Sequence, residues 1–198
     1  MSKNENSKII ANFISTHCIE RSESPTLMYG KLPGTRYATQ FYLAPLLYNR
    51  EMLERIGVEF IRLVEEKIGH FDFQLAGREW SAIPLLTALP IICKAYANKD
   101  INSFMVKRER KNYGKHNFIE GTILKDKPVM IVDDLCNSTD SFRHCLSVIF
   151  YEHKHPIVPF NFAVLNKYSR TKIGPTMDFD RYSGQRCLSI CERDDIKI

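Results

Sequence analysis

Apolar positions recur at two periods along this chain, and the switch between them marks its elements. Ile9, Ile10, Phe13 and Ile14 fall at helical spacing, which predicts an amphipathic helix near the start. A loop-rich stretch follows over 22–39, punctuated by Pro25, Gly30, Pro33 and Gly34. A stronger helix is expected after Asn49, a natural N-cap. Met52, Leu53, Ile56, Phe60, Leu63 and Val64 share one of its faces, and Gly69 sits just past its end. Short apolar runs then replace the helical period, so 71–76, 102–106, 129–132 and 157–165 read as strands. One helix is predicted to open near Pro84. Another covers 140–153, with Phe142, Cys145, Leu146, Ile149 and Phe150 as its packed face. Strands alternating with helices predict an α/β fold with a central, mostly parallel sheet flanked by helices. From about Thr171 no period is clear, and that part is expected to be an appendage.

Composition narrows this picture. A chain of 198 residues fits one domain of generous size and can bury a full core unaided. The six cysteines, Cys18, Cys93, Cys136, Cys145, Cys187 and Cys191, form no CxxC pair, so reduced thiols and a cytoplasmic location are expected rather than a zinc site. The N-terminus has no continuous apolar run of the secretory kind, and no stretch is long enough to span a bilayer. A net charge of +5 favours an anionic ligand without declaring a nucleic-acid binder.

The candidate chemistry concentrates in VMIVDDLCNSTDS, from Val129 to Ser141. An apolar strand leading to Asp133 and Asp134, then a small polar run, then a helix, is a ligand site by geometry. In open α/β sheets, ligands bind beyond the carboxyl ends of the strands. Backbone N–H groups of Asn137, Ser138, Thr139, Asp140 and Ser141 suit a phosphate at a helix N-terminus, and two carboxylates suit the hydroxyls of a ribose. The plainer alternative is a strand-to-helix turn capped by Ser138 or Thr139. Upstream, FMVKRERKNYGKHNFIEG gathers Lys107, Arg108 and Lys111. Mobile cations there could stabilise negative charge on an anionic ligand. A solvated basic hairpin or a nucleic-acid contact would look the same.

Taken together, these segments resemble the type I phosphoribosyltransferases, most closely the orotate phosphoribosyltransferases. The acid pair and the turn after it match the family's loop for 5-phosphoribosyl-1-pyrophosphate (PRPP), with Thr139 at the usual glycine position. The basic run is similar to the flexible loop, and LAGREWSAIP (Leu75 to Pro84) resembles the pyrophosphate loop, with Arg78 as its phosphate contact. Ser81 stands where orotate enzymes carry lysine, and Lys167 where they carry the arginine that reads the base. The resemblance implies an N-terminal helix and cover over 1–40, a phosphoribosyltransferase core over 41–170 and the appendage over 171–198. It implies a homodimer using PRPP, Mg2+ and a nitrogenous base. Asp133 and Asp134 would hold the ribose, residues 137–141 the 5-phosphate, and Arg78, Lys107, Arg108 and Lys111 the pyrophosphate. The alternative is a weakly catalytic or inactive PRPP- or nucleotide-binding subunit of a larger regulatory or defence assembly.

Overall fold

The computed structural model describes residues 4–21, 39–109, 117–137, 140–167 and 186–197. Helix α1 (Glu5–His17) opens on Asn4, whose side chain accepts from the Ser7 N–H, and a short antiparallel pair follows, β1 (Ile19–Arg21) with β2 (Thr39–Phe41). After a single helical turn, α2 (Ala44–Leu47), comes α3 (Arg50–Lys67), capped by Asn49 as its sequence implies. The main sheet is built from β3 (Gln74–Arg78), β4 (Ser103–Val106), β5 (Ile119–Glu120), β6 (Val129–Cys136), β7 (Phe160–Asn166) and β8 (Arg186–Glu192). Between these strands run α4 (Ile83–Ala97) and α5 (Asp140–Leu146), the latter passing directly into a π-helical turn, Ser147–Glu152.

The six strands lie in the order β5-β4-β3-β6-β7-β8, all parallel except for the β4–β5 pair. Alternation along each strand divides the core in two. Leu75, Met130, Val132 and Phe162 pack with Ile56, Phe60, Leu85 and Leu89 of α3 and α4. Ala76, Ile131 and Ala163 meet Phe142, Cys145, Val148 and Ile149 on the other face. Phe60 meets Phe162 edge-on, with ring centroids 5.0 Å apart. The fold class is therefore the expected one: a mostly parallel sheet with helices on both faces.

Three expectations shift. Residues 186–192 are no appendage but the sixth strand, pairing with β7 from Phe160↔Arg186 to Asn166↔Glu192 and adding Leu188 and Ile190 to the core. Strand β6 runs on through both acids to Cys136 instead of ending at Val132. Phe150 is 47% exposed because the wider π turn carries it off the packed face of α5. All six cysteines are free, and among the described residues no helix is long and apolar enough to cross a membrane.

At the amino end of the sheet, buried Gln74 fixes how β6 enters beside β3. Its amide N–H groups donate to the Leu124 and Lys127 carbonyls at 2.8 and 2.7 Å, and its oxygen accepts from the Leu124 N–H at 2.9 Å. Gln74→Met keeps the volume but removes these three hydrogen bonds and leaves the Leu124 N–H without its acceptor, while the Lys127 and Leu124 carbonyls keep His155 and the Lys127 N–H respectively. It should lower stability by about 2–4 kcal/mol, read by urea denaturation.

Candidate functional site

Chain order reverses between β3 and β6. From β3 the sheet grows outward to β4, and from β6 it grows the other way to β7 and β8. In open α/β sheets ligands bind beyond the carboxyl ends of the strands at such a switch point, and β3 and β6 run there side by side. β6 delivers Asp133 and Asp134 while still hydrogen-bonded in the sheet, with Asp133 opposite Ala163 and Leu135 opposite Leu165. Asp133 is buried; its Oδ1 accepts from the Asp134 N–H at 3.0 Å and from the Ser81 hydroxyl at 2.7 Å. Burial and the adjacent Asp133 carboxylate push the Asp134 carboxyl up to about 8. The two carboxyls together thus hold a proton above the ordinary carboxylate range, so the pair can both donate to and accept from a hydroxyl.

The β3 side is shaped by close approach. A Cβ at Gly77 would sit 2.3 Å from the Ala82 Cβ and 2.7 Å from the Val132 carbonyl, so only glycine lets the loop fold back against β6. Beyond it, Arg78 is half-buried, the Glu79–Trp80 peptide is cis, and Trp80 is 79% exposed. Trp80 therefore does not serve the packing its type suggests. Ser81, in place of a cation, bonds to the acid pair.

The start of the basic segment is held on every side. The Lys107 N–H donates to the Phe118 carbonyl at 2.7 Å, and its carbonyl lies 2.7 Å from His144 Nε2. Its ammonium, expected at pyrophosphate, is buried against Glu120 at 3.1 Å. Arg108 is exposed, and its N–H donates to Glu79 Oε1 at 2.7 Å. Lys111, Ser138 and Thr139 lie outside the described residues. Asn137 and Asp140 are exposed and Ser141 is half-buried, with Asp140 opening α5. At the end of β7, the Lys167 ammonium stands 5.6 Å from the Phe41 ring centroid, and burial together with the Arg193 charge lowers its pKa.

The structure thus places Arg78 at the end of β3 and Asp133 and Asp134 on the neighbouring β6, with Ser81 tied to Asp133 and Arg108 tied to Glu79, the residue after Arg78. No motif in the sequence singles out Glu79 or His144. Their partners lie 29 and 37 residues away, which no local pattern reveals.

No protein-family model matches the chain. It is 23% identical over 168 residues to the orotate phosphoribosyltransferase of Buchnera aphidicola subsp. Acyrthosiphon pisum, covering 84% of this chain and 78% of that protein. A phosphoribosyltransferase from Corynebacterium diphtheriae superposes with a TM-score of 0.73 at 15% identity, over 98% of this chain and 100% of that one. The Mycobacterium tuberculosis H37Rv orotate phosphoribosyltransferase in complex with PRPP gives 0.64 at 17% identity, over 96% and 98%. The chain has the type I phosphoribosyltransferase fold.

Two outcomes follow from this geometry. Gly77→Ala should cost about 2–3 kcal/mol in urea denaturation, because the added methyl meets backbone as well as side chain. Between the ordinary carboxylate range and about 8, the folded chain keeps a proton on the acid pair that the unfolded chain releases, so stability falls as pH rises through that window. Asp134→Asn escapes this loss. It should melt above the native chain at pH 8, and the advantage should vanish near pH 3.

Proposed function

We propose that this chain, with its phosphoribosyltransferase fold and orotate phosphoribosyltransferase relatives, binds PRPP and transfers the 5-phosphoribosyl group to a nitrogenous base, releasing pyrophosphate. The observation that carries the reading is the pair of buried Asp133 and half-buried Asp134 at the switch point, with Asp133 joined through Ser81 to the loop that follows Arg78. Asp133 and Asp134 would take the ribose hydroxyls. The N–H groups of Asn137 to Ser141, Asp140 included, would take the 5-phosphate. Arg78, Arg108 and Lys111 would hold the pyrophosphate; Lys107 can join them only by giving up Glu120.

The donor set fits Mg2+ held mainly by the substrate. Among the described residues no three His, Cys, Asp or Glu side chains come together around a metal, while the acid pair can orient ribose oxygens. When bound, the ion would neutralise charge on the pyrophosphate. As the bond to C1 of the ribose breaks, negative charge gathers on the leaving group, and the cations stabilise it more in the transition state than before. The reading extends to a homodimer, with basic segments acting across its interface, and to a cytoplasmic location.

A second reading keeps the ligand and gives up efficient turnover: a PRPP- or nucleotide-binding subunit of a larger regulatory or defence assembly. Ser81 favours it, since the position that would offer a cation instead donates a hydroxyl to Asp133. So does Asp140, which places an acid at the start of α5 beside the expected phosphate.

Thermal melting with PRPP and Mg2+, followed by a pyrophosphate-release assay over a panel of bases, separates the two. Stabilisation with release is expected. Stabilisation without release leaves only the binding subunit, and no stabilisation overturns both. Lys111→Ala should lower kcat about 100-fold while PRPP still stabilises the fold. Asp134→Ala should weaken PRPP binding about 10-fold.

A further inference from the structure

The two phosphate subsites of the proposed reaction lie on different strands, one after β6 and one after β3. Between them, at the root of the basic segment, hydrogen bonds run in series from His144 on α5 through the Lys107–Arg108 peptide to Glu79 in the loop after β3. On α5, His144 points Nε2 at the Lys107 carbonyl, 2.7 Å away. A carbonyl only accepts, so Nε2 carries the hydrogen. Phe118 packs edge-on against the imidazole at 5.5 Å between centroids, which sets the plane of the ring. The next residue, Arg108, donates its N–H to the Glu79 carboxylate at 2.7 Å, and the Glu79 N–H returns to the Val106 carbonyl at 3.0 Å. With its side chain on Glu120 and its N–H on Phe118, the Lys107 peptide cannot shift without carrying Arg108 and Glu79 with it.

We infer that His144 and Glu79 are positioning residues that couple the two subsites: occupancy of the 5-phosphate subsite at α5 is relayed through Lys107 and Arg108 to the loop that binds pyrophosphate. Neither residue touches the reacting atoms. Both act through the Lys107–Arg108 backbone. The inference rests on the proposed PRPP reading and adds the route by which ribose phosphate prepares the pyrophosphate side for its charge.

The single tryptophan of the chain supplies a readout, because Trp80 is exposed and adjoins Glu79. Ribose 5-phosphate, which carries no pyrophosphate, is the probe. In the native chain it should raise the melting temperature and also change Trp80 emission. His144→Phe keeps the ring against Phe118 but loses the donor. It should still be stabilised by ribose 5-phosphate, with the Trp80 response lost. His144→Gln, whose amide can donate to the Lys107 carbonyl, should restore the response, and Glu79→Ala should abolish it. A full Trp80 response in His144→Phe overturns the coupling, as does stabilisation of the native chain with no response. If neither ribose 5-phosphate nor PRPP with Mg2+ stabilises the native chain, the PRPP reading itself falls and the coupling falls with it.

Discussion

Everything at the candidate site depends on β6, an apolar strand that stays in the sheet while delivering two adjacent acids. Val129, Met130, Ile131 and Val132 are all buried. Burying side chains of this kind contributes about 1.5–3 kcal/mol each, enough to hold the strand centrally against the penalty of the carboxyls that follow. The penalty is met locally. Asp133 takes two hydrogen bonds, and the pair keeps a proton that exposed carboxyls would lose. A charged pair in this position would repel itself, whereas a pair sharing charge and proton is a pre-formed receptor for hydroxyl groups. The central strand of the sheet and the acids that define the candidate site are therefore one continuous stretch.

That continuity explains why so much was legible in the sequence. The acids adjoin their strand, the basic residues Lys107, Arg108 and Lys111 fall within five positions, and Asn49 caps α3 as its neighbours imply. Local order carries such features. Strand β8 was not legible because Leu188 and Ile190 alternate with Cys187 and Ser189 over too short a run, behind a polar stretch with no period. Its identity comes from pairing with β7. The outward turn of Phe150 was equally hidden: hydrophobic spacing was read at 3.6 residues per turn, and the π turn changes the phase.

The ties across the site escaped for a different reason. Ser81 and Asp133, Glu79 and Arg108, and His144 and Lys107 are separated by 52, 29 and 37 residues. Each is one polar group meeting another after folding, and no periodicity anticipates it. Lys107 shows the consequence. Its basic character matched the expected role, yet the structure spends its ammonium on Glu120 and uses its backbone as a joint.

On the proposed reading, these substitutions of role also shift where the chemistry is sensitive. A hydroxyl at Ser81 orients Asp133 but adds no positive charge, and Asp140 adds negative charge beside the 5-phosphate. Neutralisation then falls on Arg78, Arg108 and the segment that follows it, together with the metal. Ground-state binding spreads over many N–H donors and hydroxyl contacts and tolerates the loss of one cation. The transition state concentrates new charge on the leaving group and does not. A site with this charge distribution holds PRPP more readily than it turns it over, unless the basic segment is placed correctly. On that reading the His144 and Glu79 bonds to the Lys107–Arg108 peptide, which place the start of the basic segment, bear on rate as the ribose contacts bear on binding.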